Sequence, residues 1–161
     1  MFLIKNKKSL NLILLFSIFA LISAYFIQYV LGHQPCNLCL IERVPYISVI
    51  IIILLCLFFK KFEKISLISI SLIFFLATLI SFYHFGIEQG FIKESLVCDL
   101  NNTNKILTAE ELLKELKERP ISCKNVTFKI FGLSLATINI VISLILSSIT
   151  MNLFLNYEKN K

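Results

Sequence analysis

Residues 10–31 read LNLILLFSIFALISAYFIQYVL, a run of 22 residues without a charged side chain. The hydrocarbon core of a bilayer is about 30 Å thick, and about 20 consecutive apolar residues in a helix cross it. This first run therefore predicts a membrane-spanning helix. Three further runs meet or nearly meet the same requirement, at residues 41–59, 65–85 and 130–155. Because backbone groups inside lipid must be hydrogen-bonded within the protein, all four runs are expected to be helices.

The composition of the whole chain supports this interpretation. The 161 residues are 57% hydrophobic and 16% charged, whereas a soluble domain usually has about 25% charged residues. Mean hydropathy is +0.83. These values exclude a soluble enzyme, a disordered chain and a secreted disulfide-rich miniprotein. We therefore predict an all-α membrane protein, a bundle of four transmembrane helices that forms a single membrane domain over residues 1–161.

The basic residues are distributed unequally between the two ends of these helices. Both chain termini and the connection at residues 60–64 carry the whole net charge of +6, whereas basic and acidic residues balance in the other connections. Cytoplasmic connections of membrane proteins carry an excess of Lys and Arg. We therefore predict that both termini are cytoplasmic and that the connections at residues 32–43 and 86–128 lie on the opposite side. This orientation accounts for the charge, so no nucleic-acid partner is predicted.

The long connection contains a signal for a helix of its own. Residues 108–111 read TAEE, in which Thr108 and Glu111 form a capping box. A short amphipathic helix is predicted over about residues 109–118, ending before Pro120. This helix either packs against the rest of the connection or lies on the membrane lipid.

Four of the five cysteines lie in the two connections placed outside the cytoplasm, where disulfides persist. Cys36 and Cys39 form a Cys-x-x-Cys sequence, and Cys98 and Cys123 enclose 24 residues of the long connection. Cys56 lies inside the second apolar run, and we interpret it as a small apolar residue.

Three kinds of site are compatible with these four thiols. A structural disulfide suits Cys98 and Cys123, but a Cys-x-x-Cys ring constrains little chain. Zinc sites commonly use paired short spacings, and the second pair is too far apart for that pattern, so no metal site is predicted. Redox catalysis is favoured, since a Cys-x-x-Cys disulfide forms and breaks readily.

The surroundings of the Cys-x-x-Cys pair also favour redox catalysis. Cys39 precedes the predicted second span, whose N-terminus favours a negative charge. Arg43 follows one helical turn later and is placed to stabilise a thiolate or a reduced acceptor. The sequence contains no glycine-rich phosphate loop and no Cys-x-x-Cys-His haem signature. A lipid-soluble quinone is the acceptor that fits, with Arg43 and His84 as candidate anchors.

These motifs together resemble the disulfide bond formation protein B (DsbB) family of bacterial inner-membrane thiol–quinone oxidoreductases. The resemblance covers about residues 10–155 and includes Asn139 in the fourth run. It is carried by five segments: QPCNLCLIER at residues 34–43, YHFGIEQG at 83–90, Cys98-Asp99, Ser122-Cys123 and FGLSLA at 131–136. The fold of the family is the predicted four-helix bundle.

The resemblance implies roles on the quinone side of the reaction. Cys36 and Cys39 correspond to the pair next to a bound quinone, either ubiquinone or menaquinone. Cys39 would form the thiolate that contacts the quinone, and Arg43 would support both. His84 matches a position near the quinone.

The resemblance also implies roles on the partner side. Cys98 and Cys123 correspond to a mobile pair in a periplasmic loop. A reduced thioredoxin-fold protein of the DsbA type would attack Cys98, and Cys123 would then exchange with Cys36. The implied location is the bacterial inner membrane, with the cysteine-containing loops in the periplasm.

Two other functions stay open on the sequence alone. A non-catalytic four-span scaffold with structural disulfides predicts that the cysteines stay oxidised whatever donor is added, and that Arg43 is dispensable. An enzyme like vitamin K epoxide reductase shares the helical bundle and the quinone-side Cys-x-x-Cys. Its loop cysteines precede that pair in the chain, whereas here they follow it.

Overall fold

The computed structural model describes residues 2–58, 63–93, 123–124, 129–130 and 132–159. Within these residues, four helical segments are long and apolar enough to cross a membrane. The helices are α1 (Phe2–Tyr29), α2 (Asn37–Ile41), α3 (Val44–Phe58), α4 (Glu63–Glu88) and α5 (Leu135–Lys159), and β1 (Lys129–Ile130) pairs with β2 (Leu133–Ser134). The chain is a multi-pass membrane protein, and the predicted bundle of four transmembrane helices is confirmed.

The second membrane crossing consists of two helices instead of one. A turn at Glu42 and Arg43 separates α2 from α3, and the two helices together form the apolar segment Asn37–Phe58. Pro45 lies in the first turn of α3, where proline is tolerated because its missing N–H would have no helical partner. The crossing therefore begins at Asn37 rather than at residue 41, and Glu42 and Arg43 lie at a break in the helix.

The fourth crossing begins later than predicted. Its helix α5 begins at Leu135 instead of residue 130, because the chain first forms the β1–β2 hairpin. Gly132 between the strands has a φ of +81°, a conformation that favours glycine. Ser134 then caps α5, since its Oγ accepts a hydrogen bond from the N–H of Thr137 at 3.2 Å. The predicted apolar run is thus divided between a hairpin and a helix.

The third predicted crossing differs in its extent, and two further predictions concern residues that the structure does not describe. The helix α4 continues to Glu88, three residues past the predicted end at residue 85, and therefore carries both His84 and Glu88 in its last two turns. The short helix expected at residues 109–118 and the candidate residue Cys98 lie outside the described residues.

The bundle is apolar outside and carries hydroxyl groups inside. Large side chains such as Leu12, Phe19 and Phe82 are exposed, as expected for surfaces that face lipid. The buried polar side chains include several hydroxyls from α1, α4 and α5: Ser17, Ser66, Ser71, Thr78, Ser81, Ser143 and Thr150. Small hydroxyl side chains let membrane helices approach closely and hydrogen-bond across the contact.

The contact between α4 and α5 shows this packing directly. The Oγ of Ser71 donates to the carbonyl oxygen of Ser147 at 3.2 Å, and the Oγ of Ser147 donates to the carbonyl oxygen of Ser71 at 3.1 Å. This reciprocal pair fixes the register of the two helices near the middle of the membrane crossing.

Asn139 joins three of the crossings. Its Oδ1 accepts a hydrogen bond from the Tyr46 hydroxyl of α3 at 2.5 Å. Its Nδ2 donates to Ser81 Oγ of α4 at 2.8 Å. The Tyr46 ring also packs edge-on against Phe74, with the ring centroids 5.8 Å apart. These contacts hold α3, α4 and α5 together beside the cavity described below.

We expect Asn139→Leu to lower the free energy of unfolding by about 1–2 kcal/mol, because the hydroxyls of Tyr46 and Ser81 lose a buried partner. Unfolding in mixed micelles, followed by the loss of helical circular dichroism, measures the change. The control is Ser148→Ala, which removes an exposed hydroxyl that bonds the Leu144 carbonyl within α5. Equal stability of the two variants would contradict the role of Asn139.

Candidate active site

A cavity of about 340 Å³ lies at the end of the bundle where α1 ends and α5 begins. This volume falls within the range of about 300–1,000 Å³ that is typical of small-molecule sites. Its apolar wall includes Phe16 and Ile27 of α1 and Ile138 of α5. Five of the six predicted site residues line the cavity: Cys36, Cys39, Arg43, His84 and Cys123.

The Cys36/Cys39 pair is held by the start of α2. Cys36 is the N-cap residue of this helix, and its Sγ accepts a hydrogen bond from the backbone N–H of Cys39 at 3.3 Å. The two Sγ atoms lie 2.8 Å apart, and both cysteines are free thiols in this structure. The helix start therefore holds the two sulfurs next to each other, with the side chain of the first cysteine at the positive end of the helix.

His84 connects the pair to a carboxylate. Its side chain is 2% exposed, and its Nε2 lies 3.5 Å from Cys36 Sγ. Its Nδ1 lies 3.0 Å from Glu42 Oε1. Because an ionised carboxylate only accepts hydrogen bonds, Nδ1 carries the proton in this contact. The Nε2 atom is then directed at the sulfur, and the imidazole can accept the thiol proton while Glu42 stabilises the resulting cation.

The hydrogen bonds around Cys36 lower the pKa of its thiol from 9.0 to about 4. The hydrogen bond from the Cys39 side chain is the largest cause, and burial acts in the opposite direction. His84 lowers the pKa further through a hydrogen bond and through its charge. The contacts of the reduced pair thus favour a thiolate on Cys36, which differs from the thiolate on Cys39 that the family resemblance implies.

Alkylation of Cys36 by iodoacetamide should therefore be nearly independent of pH between about pH 6 and 9, because only the thiolate reacts and a pKa near 4 keeps it ionised. An ordinary thiol would instead react about tenfold faster for each pH unit below its pKa of about 8.5. Mass spectrometry of the reduced protein measures the rate at this one cysteine. A rate that rises steeply through pH 8 would contradict the low pKa.

Arg43 lines the cavity but makes its own contacts with α1. Its Nη1 donates to Gln28 Oε1 at 2.6 Å, and its guanidinium carbon lies 4.9 Å from the centre of the Tyr25 ring. These contacts hold a positive charge at the cavity wall. A guanidinium there is placed to attract an electron-rich oxygen of a ligand in the cavity.

Cys123 is packed in the same cluster as the Cys-x-x-Cys pair. It is buried, is disulfide-bonded in this structure, and belongs to a cluster with Cys36, Leu38 and Ile87. A cysteine from the long connection is thus packed beside the Cys-x-x-Cys pair.

Two acidic residues complete the site, and the sequence did not identify either of them as a site residue. Glu42 contacts His84 from the break between α2 and α3. Glu88 lines the cavity one helical turn after His84, and its Oε1 lies 3.7 Å from His84 Nε2. The available signals were the position of Glu42 next to Arg43 and the i,i+4 spacing that puts Glu88 on the His84 face of α4.

Comparisons with known proteins give the same family as the sequence motifs. A family model described as disulfide bond formation protein DsbB matches residues 6–153, a span that contains all six predicted site residues. The chain is 33% identical over 156 residues to uncharacterized protein RP370 of Rickettsia prowazekii (strain Madrid E), and the alignment covers 95% of this chain and 90% of that relative. No solved structure matches the chain.

Proposed function

This chain belongs to the DsbB family and is a thiol-disulfide oxidoreductase, and from that premise we propose that it oxidises a periplasmic dithiol protein and passes the two electrons to a membrane quinone. The partner is a thioredoxin-fold protein of the DsbA type. The acceptor is ubiquinone or menaquinone.

One observation carries the proposal. A reduced Cys-x-x-Cys pair, with a histidine 3.5 Å from its first sulfur, faces an apolar cavity between membrane helices. A structural disulfide requires neither a buried proton acceptor nor a cavity of ligand size. The same arrangement suits a pair of thiols that must lose two protons and two electrons next to an apolar molecule.

The residues of the cavity fit a quinone. Side chains of α1 and α5 provide an apolar wall, and Arg43 and His84 provide polar groups at one end. When bound, a quinone supplies an acceptor for two electrons and two protons. Arg43 would hold one of its oxygen atoms.

The chain's own residues manage the thiol chemistry. His84 accepts the proton of Cys36 at Nε2, and Glu42 stabilises the imidazolium through Nδ1. In the working direction, the reduced Cys123 attacks Cys36 of the oxidised Cys36–Cys39 pair, which forms a Cys36–Cys123 mixed disulfide and releases the Cys39 thiolate. Cys98 then attacks Cys123, which forms the loop disulfide again and releases the Cys36 thiolate. The Cys36–Cys39 disulfide would form again as two electrons leave this pair for the acceptor.

The partner side of the proposal uses Cys98 and Cys123. A partner thiolate attacks Cys98 and breaks the loop disulfide, and the second partner thiol then resolves the mixed disulfide. The partner leaves with its disulfide formed, and the loop pair holds the two electrons. Partners of the DsbA type have a reduction potential of about −120 mV, so their reoxidation needs an acceptor with a more positive potential. A quinone meets that requirement, whereas an ordinary reducing dithiol does not.

The location that goes with this proposal is the bacterial inner membrane. Both termini and the connection at residues 60–64 would face the cytoplasm, because they carry the excess of basic residues. The Cys-x-x-Cys end of the bundle would then face the periplasm, where the partner is found.

Arg43→Ala is expected to raise the KM for quinone by about tenfold, since a charge-assisted hydrogen bond contributes about 1.5–3 kcal/mol. Quinone titrations at a fixed concentration of reduced partner measure this change. Gln28→Ala is the matched comparison, because it leaves the charge but removes the group that the guanidinium contacts. An unchanged KM and kcat in Arg43→Ala would remove Arg43 from the site.

The experiment that tests the function is quinone reduction in detergent under anaerobic conditions, followed by ultraviolet absorbance. The donor is a reduced thioredoxin-fold dithiol protein, and Cys39→Ser and Cys98→Ser variants are measured alongside. Turnover in the native protein that is lost in both variants supports the thiol-to-quinone route. A folded protein that reduces neither ubiquinone nor menaquinone with several donors would favour the scaffold with structural disulfides.

A further inference from the structure

We propose that Cys36, Cys39 and His84, when the two thiols are reduced, form a binding site for a thiophilic divalent cation of the Zn²⁺ type, with Glu88 at the fourth position. The occupied site holds the pair in its reduced form and keeps it from forming a disulfide. This proposal concerns the dithiol and the histidine alone and does not rest on the identity of the electron acceptor.

The three ligand atoms are already close to the arrangement that a tetrahedral ion requires. The two sulfurs and one histidine nitrogen lie within 4.8 Å of one another. Cys36 Sγ and His84 Nε2 are 3.5 Å apart, and two such ligands of a tetrahedral zinc ion are about 3.6 Å apart. The sulfurs lie 2.8 Å apart and would separate to about 3.8 Å around the ion. A side-chain rotation at Cys39 provides this movement.

His84 is prepared for metal binding by its other nitrogen. Histidine ligands usually donate their second ring N–H to a carboxylate, which fixes the tautomer and makes the ligating nitrogen more basic. Here Nδ1 lies 3.0 Å from Glu42 Oε1, so Nε2 is the nitrogen that faces the two sulfurs. The imidazole is therefore held in the orientation and tautomer that a bound ion needs.

Glu88 provides an independent indication of a ligand. Its side chain is 6% exposed, and its Oε1 lies 3.7 Å from His84 Nε2. Its Oε2 is buried and has no hydrogen-bond partner among the described residues. Buried carboxylate oxygens are normally hydrogen-bonded or bound to a cation. Glu88 lies outside the group of three ligand atoms that are within 4.8 Å of one another, so its carboxylate would have to turn toward the sulfurs to reach the ion. That movement would satisfy the unpartnered oxygen and complete a site of two sulfurs, one nitrogen and one oxygen.

This site differs from a zinc site of four thiolates, which the spacing of the cysteines disfavours. That site needed Cys98 and Cys123, which are far apart in the chain. The present site replaces both of them with side chains of α4, which the sequence places more than 40 residues from the Cys-x-x-Cys pair.

Binding transfers no electrons. A divalent ion enters, the thiols of Cys36 and Cys39 lose their two protons to solvent, and two metal–sulfur bonds form. The sulfurs cannot then bond to each other until the ion leaves. A raised concentration of Zn²⁺ would thus stop electron transfer reversibly, and a chelator would restore it.

The test is a Co²⁺ titration of the reduced full-length protein in detergent, without quinone or partner. A background with Cys98→Ser and Cys123→Ser removes the other pair of thiols. We expect one equivalent of Co²⁺ per chain, visible absorption bands typical of tetrahedral coordination, sulfur-to-metal charge-transfer absorbance, and displacement by Zn²⁺. The same protein with Cys36 and Cys39 oxidised should not bind, and this control has an identical sequence and fold.

The variants assign the ligands. Cys39→Ser should weaken Co²⁺ binding by at least about 100-fold, Glu42→Gln by about tenfold, and Glu88→Gln should change the visible spectrum. Cys56→Ser, which changes a buried cysteine in α3, should bind as the parent does. Reduced protein that fails to bind Co²⁺, or binding that survives oxidation or Cys39→Ser, would overturn the proposal. Because the assay contains no quinone, its failure would leave the proposed electron transfer unaffected.

Discussion

Cys36→Ser is expected to reduce quinone-dependent oxidation of the partner to background, a loss of at least about three orders of magnitude. In the proposed function, Cys36 exchanges with the loop pair and is also half of the disulfide that forms when electrons leave. It is the N-cap of α2, has His84 at 3.5 Å and is packed with Cys123. No other described thiol occupies this position between the two pairs.

The matched control is Cys56→Ser, because Cys56 is the third described free cysteine. It lies in the apolar cluster of the bundle with residues such as Ile53 and Phe74. We expect its substitution to leave the rate within a few-fold of the native protein. Activity that persists in Cys36→Ser would show that electrons pass from the loop pair to the acceptor by a route that bypasses the Cys-x-x-Cys pair.

His84→Ala is expected to lower the rate of disulfide formation at Cys36 and Cys39 by about 10²–10⁴-fold at neutral pH, the range for loss of a positioned base. The variant loses the hydrogen bond and the charge that lower the pKa of the Cys36 thiol. The pKa of this thiol should therefore rise, and the fraction of thiolate should fall most at low pH. The rate should recover as the pH is raised, whereas the rate of the native protein changes little over the same range.

This pH dependence separates a proton acceptor from a residue that only fills space. A purely structural role for His84 would lower the rate equally at every pH. His33→Ala is the matched comparison, since His33 is the other histidine and also lines the cavity. Parallel pH profiles for His84→Ala and the native protein would rule out the assigned role.

The sequence was sufficient for the membrane crossings because each one is a local property. About 20 apolar residues without a charge are long enough to cross the bilayer as a helix, and this requirement does not depend on the rest of the chain. The ends of the crossings depend on finer features. The β1–β2 hairpin before α5 and the break at Glu42 and Arg43 both lie within or beside apolar stretches. The average hydrophobicity of a stretch does not indicate a turn or a cap.

The site was predictable to the extent that its chemistry appears in short motifs. The Cys36/Cys39 spacing indicated a redox pair, and His84 was a candidate quinone anchor that the resemblance to a family also placed near the quinone. The contact between Cys36 and His84 joins residues 48 positions apart in the chain, so no local pattern gives its distance. Nothing in the sequence distinguishes Glu42 and Glu88 from other acidic residues. Only the fold shows that both lie beside the imidazole of His84.

The preference for a thiolate on Cys36 also depends on the fold. The sequence emphasised the helix start and Arg43, which both pointed to Cys39. In the structure, the side chain of Arg43 contacts Gln28 and Tyr25 of α1, while His84 approaches Cys36 from α4. The low pKa of the Cys36 thiol thus comes first from the hydrogen bond with Cys39 inside the pair and then from His84, which the fold brings close from α4.

The most direct test of the account is a single turnover of the reduced protein with ubiquinone or menaquinone, without a partner. The protein carries Cys98→Ser and Cys123→Ser, is fully reduced, and is mixed anaerobically with one equivalent of quinone. We expect one quinol to form for every two thiols lost, with the new disulfide located by mass spectrometry between Cys36 and Cys39. Failure to reduce both ubiquinone and menaquinone, or quinol that forms while both thiols remain free, would contradict this mechanism.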